Sequence, residues 1–138
     1  MQLASIAEHS ALADRMLIGI HGRTPLMQLL HCPIKEHKGC QNCMGIAGAV
    51  TDEAGRVFPL VNIRYPDNCL VRMLNCRTTD LIDLFDRIPK TAGYVLNFVG
   101  EQIDEVTERI AAANEAKNGK RQTQYPNSTR GHWVRKVE

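Results

Sequence analysis

Three of the five cysteines in this chain, Cys32, Cys40 and Cys43, fall within twelve residues, and Cys69 and Cys76 follow downstream. The segment around the first three also holds Pro33, Gly39 and several charges, which is the composition of a turning, solvated loop. Thiols gathered in such a loop suit a thiolate metal site, because a metal needs several soft donors converging from backbone that can wrap around it. The spacing is Cys-x7-Cys-x2-Cys-x25-Cys as far as Cys69. A zinc ribbon shows two Cys-x-x-Cys knuckles and this chain has one, whereas iron–sulfur clusters accept uneven spacing from separate loops. On spacing alone an iron–sulfur cluster, structural zinc and no metal all stay open.

The odd cysteine count fits four ligands and one spare. Cys76, the spare, reads as a small buried hydrophobe or a reserve ligand. His31 and His37 flank the cluster. They read as a packing residue and a solvated loop residue, or as substitutes for one thiol. Five histidines beside five cysteines formally allow a nucleophilic Cys/His pair, but no spacing selects one.

A length of 138 residues fits a domain with a real core, and 43% hydrophobic with 23% charged residues is an ordinary globular balance. The net charge of +2 points to no partner. The C-terminal end is locally basic through Lys117, Lys120, Arg121, Arg130, Arg135 and Lys136, which suits a solvated tail or contact with phosphate. No run reaches the length of a membrane span, and Glu8, His9, Asp14 and Arg15 interrupt the first residues, unlike a signal peptide. The expected compartment is the cytoplasm, where thiols stay reduced and clustered cysteines are read as ligands.

Periodicity predicts a helix over residues 2–15, then a buried strand from Met16 to Ile20. An apolar stretch from Leu26 to Leu30 leads into a cysteine loop at 33–45. Ile46–Val50 and Arg56–Ile63 read as a hairpin joined by residues 51–55, with Pro59 marking an edge or a bulge. Leu70–Leu74 is a further strand. Thr78 or Thr79 would cap a helix over Asp80–Ile88, with Leu81, Leu84, Phe85 and Ile88 inward. Tyr94–Val99 reads as a strand, and Glu101–Lys117 as a helix burying Ile103, Val106, Ile110 and Ala113. Glu101 suits the first helical turn, or an acid/base role. The expected class is α+β: a cysteine-loop lobe with a β-hairpin, followed by a helix–strand–helix unit. The expected division is a mixed domain over 1–119 and an extended basic tail over 120–138.

His21-Gly22-Arg23-Thr24-Pro25-Leu26-Met27, followed by His31-Cys32-Pro33 and by Gly39-Cys40-Gln41-Asn42-Cys43, resembles the collagenase-like peptidase family of unknown catalytic type, number thirty-two in its series. Asp52, Gly55, Phe58 and Pro59 resemble its Asp-x-x-Gly-x-x-Phe-Pro strand pair. Cys69, then Leu74-Asn75, then Asp80, Leu81, Asp83 and Leu84 follow in the same order. Thr129-Arg130-Gly131-His132-Trp133 is similar to its closing segment. The resemblance spans roughly residues 16–138.

The resemblance implies the end of an incomplete (β/α) barrel protein, with most of the barrel absent and acting as an intramolecular partner. It implies a protein described as a protease, or one that hydroxylates RNA bases or a ubiquinone precursor. In the hydroxylating branch four cysteines hold a 4Fe-4S cluster. The corresponding ligands here are Cys32, Cys40, Cys43 and Cys69, with zinc as the alternative. No catalytic residue is implied. RNA or a peptide is the implied substrate of the parent protein, and Arg130 and His132 are expected to meet its main body or a phosphate. Three classes therefore compete: a cluster-bearing part of a modifying enzyme, a peptidase with structural cysteines, and a zinc-stapled binding module.

Overall fold

The computed structural model describes residues 5–6, 8, 10–40, 43–65 and 69–134. Its mixture of helices and sheets is α+β. By contacts the chain divides into an outer unit, residues 1–22 with 77–138, and an inserted unit, residues 23–76. Residues 120–134 thus group with the outer unit.

In the outer unit β1 (Leu17–Gly22) is central. It runs parallel to β7 (Gly93–Leu96) and antiparallel to the two-residue β6 (Thr79–Asp80). Ile18 and Ile20 project from one face of β1 and are buried with Leu81, Ile82, Leu84 and Ile88, and with Ala112, Ala113 and Ala116 of the C-terminal helix. The other face is open: Leu17 and Val95 are exposed. Gly22 ends β1 at φ +138°, and a Cβ there would stand 2.6 Å from the carbonyl oxygen of Asn97, so only glycine fits this approach.

The inserted unit is a four-stranded antiparallel sheet in the order β2-β5-β4-β3, from β2 (Pro25–Leu29), β3 (Gly45–Thr51), β4 (Val57–Arg64) and β5 (Cys69–Leu74). The hairpin forms as expected, and Asp52 organises its loop by accepting the backbone N–H groups of Ala54 and Arg56. Pro59 lies in an interior strand, yet it pairs with Ala49 where the β4–β5 ladder, which begins at Leu60, has not started. At that point β4 has one neighbour, so the missing N–H costs no ladder bond on the β5 side.

Several expectations are corrected. The cysteine loop contains a short helix, α1 (Pro33–Lys38), started by Pro33 in the first turn, where a missing N–H does no harm. Ser10–Arg15 is a 3-10 turn, and part of the expected helix over 2–15 lies outside the described residues. Thr79 and Asp80 enter β6 instead of a helix, and Ile82–Arg87 is 3-10 with a break at Leu84. The C-terminal helix, α2 (Ile103–Lys117), buries Arg109, Ala112, Ala113 and Ala116. Ile103 is 74% and Ile110 46% exposed. The helix turns its small side chains inward, where Ala112, Ala113 and Ala116 pack in the core with Leu81 and with Ile82 and Leu84 of the 3-10 segment. A capping box starts it: Glu105 accepts the backbone N–H of Gln102 at 2.8 Å.

The expected tail is extended but anchored. Thr129 bridges to Thr79, and its backbone exchanges hydrogen bonds with Thr78 and Asp80. Trp133 packs against the core.

Candidate functional site

Strand register sets Cys43 and Cys69 at one end of the inserted sheet, and Cys32 follows β2 toward the same end. β2 ends at Leu29 opposite Val71, so its chain leaves beside Cys69, the first residue of β5, and reaches Cys32. Cys32 is the N-cap residue of α1 and Cys40 follows its C-terminal glycine. Cys43 then leads into β3 at Gly45, which pairs with Asn62. Cys69 pairs with Arg64, two residues beyond Asn62 on the same face of β4. That face also carries Leu60 and Val71, both buried. α1 lies over it, since a Cβ on Gly48, the partner of Leu60, would meet Ile34 at 3.4 Å.

Asn62 binds one of these sulfurs directly. It is buried, and its side-chain N–H donates to Cys43 Sγ at 3.1 Å and to the Cys43 carbonyl at 3.3 Å. Its Oδ1 is buried and has no partner among the described residues. A buried amide aimed at a cysteine sulfur is the kind of outer-shell donor that orients and tunes a thiolate ligand. The donor set therefore fits a cysteine-ligated metal or cluster. Among the described residues, however, no three Cys, His, Asp or Glu side chains already converge closely enough to hold an ion.

Cys76 sits at the opposite end of the sheet, just past Leu74, where Arg23 donates to the carbonyls of Asn75 and Cys76 at 2.9 and 2.7 Å. His31 Nε2 lies 2.7 Å from Glu36 Oε1 on the exposed surface of α1, and His37 is exposed on the same helix. Glu101 accepts the backbone N–H of Val99, a bond that closes the turn before α2. Arg130 donates to Asp83, so one side of its guanidinium is committed to the protein. The side chain of His132 lies outside the described residues.

A second constellation in the outer unit has no counterpart among the expected site residues. His21 and Asp80 form a buried pair, Nδ1 to Oδ2 at 2.7 Å. The His21 ring has Phe98 5.2 Å and Tyr125 5.7 Å away, centroid to centroid. Arg109 lies over Tyr125 with its Cζ 4.5 Å from the ring centre. Burial pushes the Tyr125 phenol up, and the carboxylate of Glu105 adds to this, while the Arg109 cation opposes it. In the sequence His21 ends an apolar strand and opens the family-like motif, and Asp80 stands in a later segment of it, but nothing there pairs the two. Elsewhere in the same unit a cavity of about 600 Å³ is lined by Ile20, Phe85, Tyr94 and Leu96, with Lys90 and Lys117 at its polar side.

No family model, curated protein or solved structure matches this chain.

Proposed function

We propose that the inserted unit is a four-cysteine cluster-binding module, with Cys32, Cys40, Cys43 and Cys69 as ligands of a 4Fe-4S cluster. The protein that carries it would belong with the collagenase-like peptidases and act in hydroxylation of RNA or of a small aromatic compound. What supports the reading is the register that sets Cys43 and Cys69, with Cys32 just past β2, at one end of one sheet and Cys76 at the other; Cys40 is assigned from the Cys40-x-x-Cys43 spacing. When bound, such a cluster supplies one-electron transfer that side chains alone do not provide. The chain's own part is positional. β4 and β5 hold Cys69, Asn62 fixes the Cys43 sulfur, and α1 spans from Cys32 to Cys40.

A structural zinc is the second reading, favoured by the thin core of this unit. Its buried apolar side chains among the described residues are Leu60, Val71 and Leu74. A unit this small usually needs a staple. Replacement of single cysteines tests the ligand set common to both. Cys40→Ser is expected to lower the metal bound by anaerobically prepared protein, and Cys76→Ser to leave it unchanged. Equal metal content in native protein and the Cys40→Ser variant, or loss in the Cys76→Ser variant, contradicts the assignment.

A further inference from the structure

His21 stands at the carboxyl end of β1, its whole residue 3% exposed. Asp80 is fully buried, and it accepts His21 Nδ1–H on Oδ2 and the backbone N–H of Ile82 on Oδ1 at 3.2 Å. Both carboxylate oxygens act as acceptors, which places a proton on Nδ1, and in the neutral imidazole Nε2 then carries a lone pair. That nitrogen is buried and has no hydrogen-bond partner among the described residues. Buried polar atoms are nearly always satisfied, so an acceptor fixed in tautomer and orientation yet lacking a donor points to a donor from outside the chain.

The surroundings narrow the donor. β1 and β7 are parallel, and the carboxyl ends of parallel strands are where α/β sheets place ligands. Phe98, just past β7, and Tyr125 flank the imidazole with aromatic surface. The charges are mostly acidic. Asp80 lies on one side, and Glu105, Glu108 and Glu101 act on Tyr125 against the single cation of Arg109. Glu108 further engages that cation through Arg109 Nη2 at 2.7 Å. An anion is disfavoured there.

We infer that His21 Nε2 is the hydrogen-bond acceptor of a binding site in the outer unit for a small uncharged ligand that donates an O–H, its body lying against Phe98 and Tyr125. The site uses no cysteine and is independent of the metal assignment. Phenol and toluene, which differ by the hydroxyl, are suitable probes for the full chain. Phenol is expected to bind saturably and at least about tenfold tighter than toluene, and to shift the Nε2 resonance in imidazole nitrogen NMR. His21→Asn keeps an amide in place of Nδ1 to donate to Asp80 and deletes Nε2, so the preference for phenol should disappear. Absent phenol binding, equal binding of the two probes to native protein, an undiminished preference in the variant, or a proton on Nε2 in the free chain overturns the inference. Should the variant fail to fold, the native Nε2 resonance decides: a saturable shift with phenol and none with toluene supports the inference, and no phenol shift or a protonated Nε2 overturns it.

Discussion

Two polar residues, His21 and Asn62, are buried inside otherwise apolar strands. Each hydrogen-bonds a side chain distant in sequence, Asp80 and Cys43, and each keeps one buried polar atom unpaired among the described residues. Neither stood out in the sequence, because a lone polar residue in an apolar run reveals its role only when the chain brings its partner from far away. Asp80 is 59 positions from His21. The cysteines were legible because their density in a turn-rich loop is a local property. At this scale the pair predicts its own cost. Asp80→Ala leaves the Nδ1–H of His21 buried without its acceptor, and should destabilise the protein by about 1–3 kcal/mol in denaturant unfolding. A loss below about 1 kcal/mol would show that the pair is dispensable.

At the scale of elements, the strands were the most readable parts. β1, β5 and the β3–β4 hairpin follow from apolar runs bounded by turn residues, and they appear where expected. The helices were less readable for a physical reason. Residues 80–88 carry apolar side chains at helical spacing, but Thr79 and Asp80 are claimed by pairing with β1, so only a 3-10 turn remains. In α2 the isoleucines suggested the buried face, whereas the core against the 3-10 segment takes the alanines. The hairpin loop gives a pH test. Asp52 is held below the ordinary aspartate value of 3.8, first by the backbone N–H of Arg56 and further by its side chain and by Ala54. A depressed folded-state value means that the loop's contribution is present above the unfolded value and is lost as pH falls through the folded one. The carboxyl of Asp52 should titrate below 3.8, with the Ala54 and Arg56 amide shifts moving along the same curve. A midpoint at or above that value would contradict the loop geometry.

At the scale of the molecule, the α+β class was legible, while the division into an outer and an inserted unit was not. Neither Gly22-Arg23 nor Cys76-Arg77 carries a linker composition, and the long-range return of residues 77–134 to β1 is invisible to local patterning. The anchoring of residues 120–134 was hidden for the same reason, since it rests on backbone pairing of Thr129 with Thr78 and Asp80. The inserted unit is what makes the cysteine assignment a claim about architecture. One antiparallel sheet brings Cys43 and Cys69, far apart in sequence, to a single end, with Cys32 leaving β2 toward it. Anaerobic reconstitution of the full chain with iron and sulfide, followed by iron and acid-labile sulfide analysis, tests this most directly. The account predicts about four iron and four sulfide per chain, with visible charge-transfer absorption that is lost in the Cys69→Ser variant. Iron and sulfide near background in folded protein, or the same content in the Cys69→Ser variant, would contradict it.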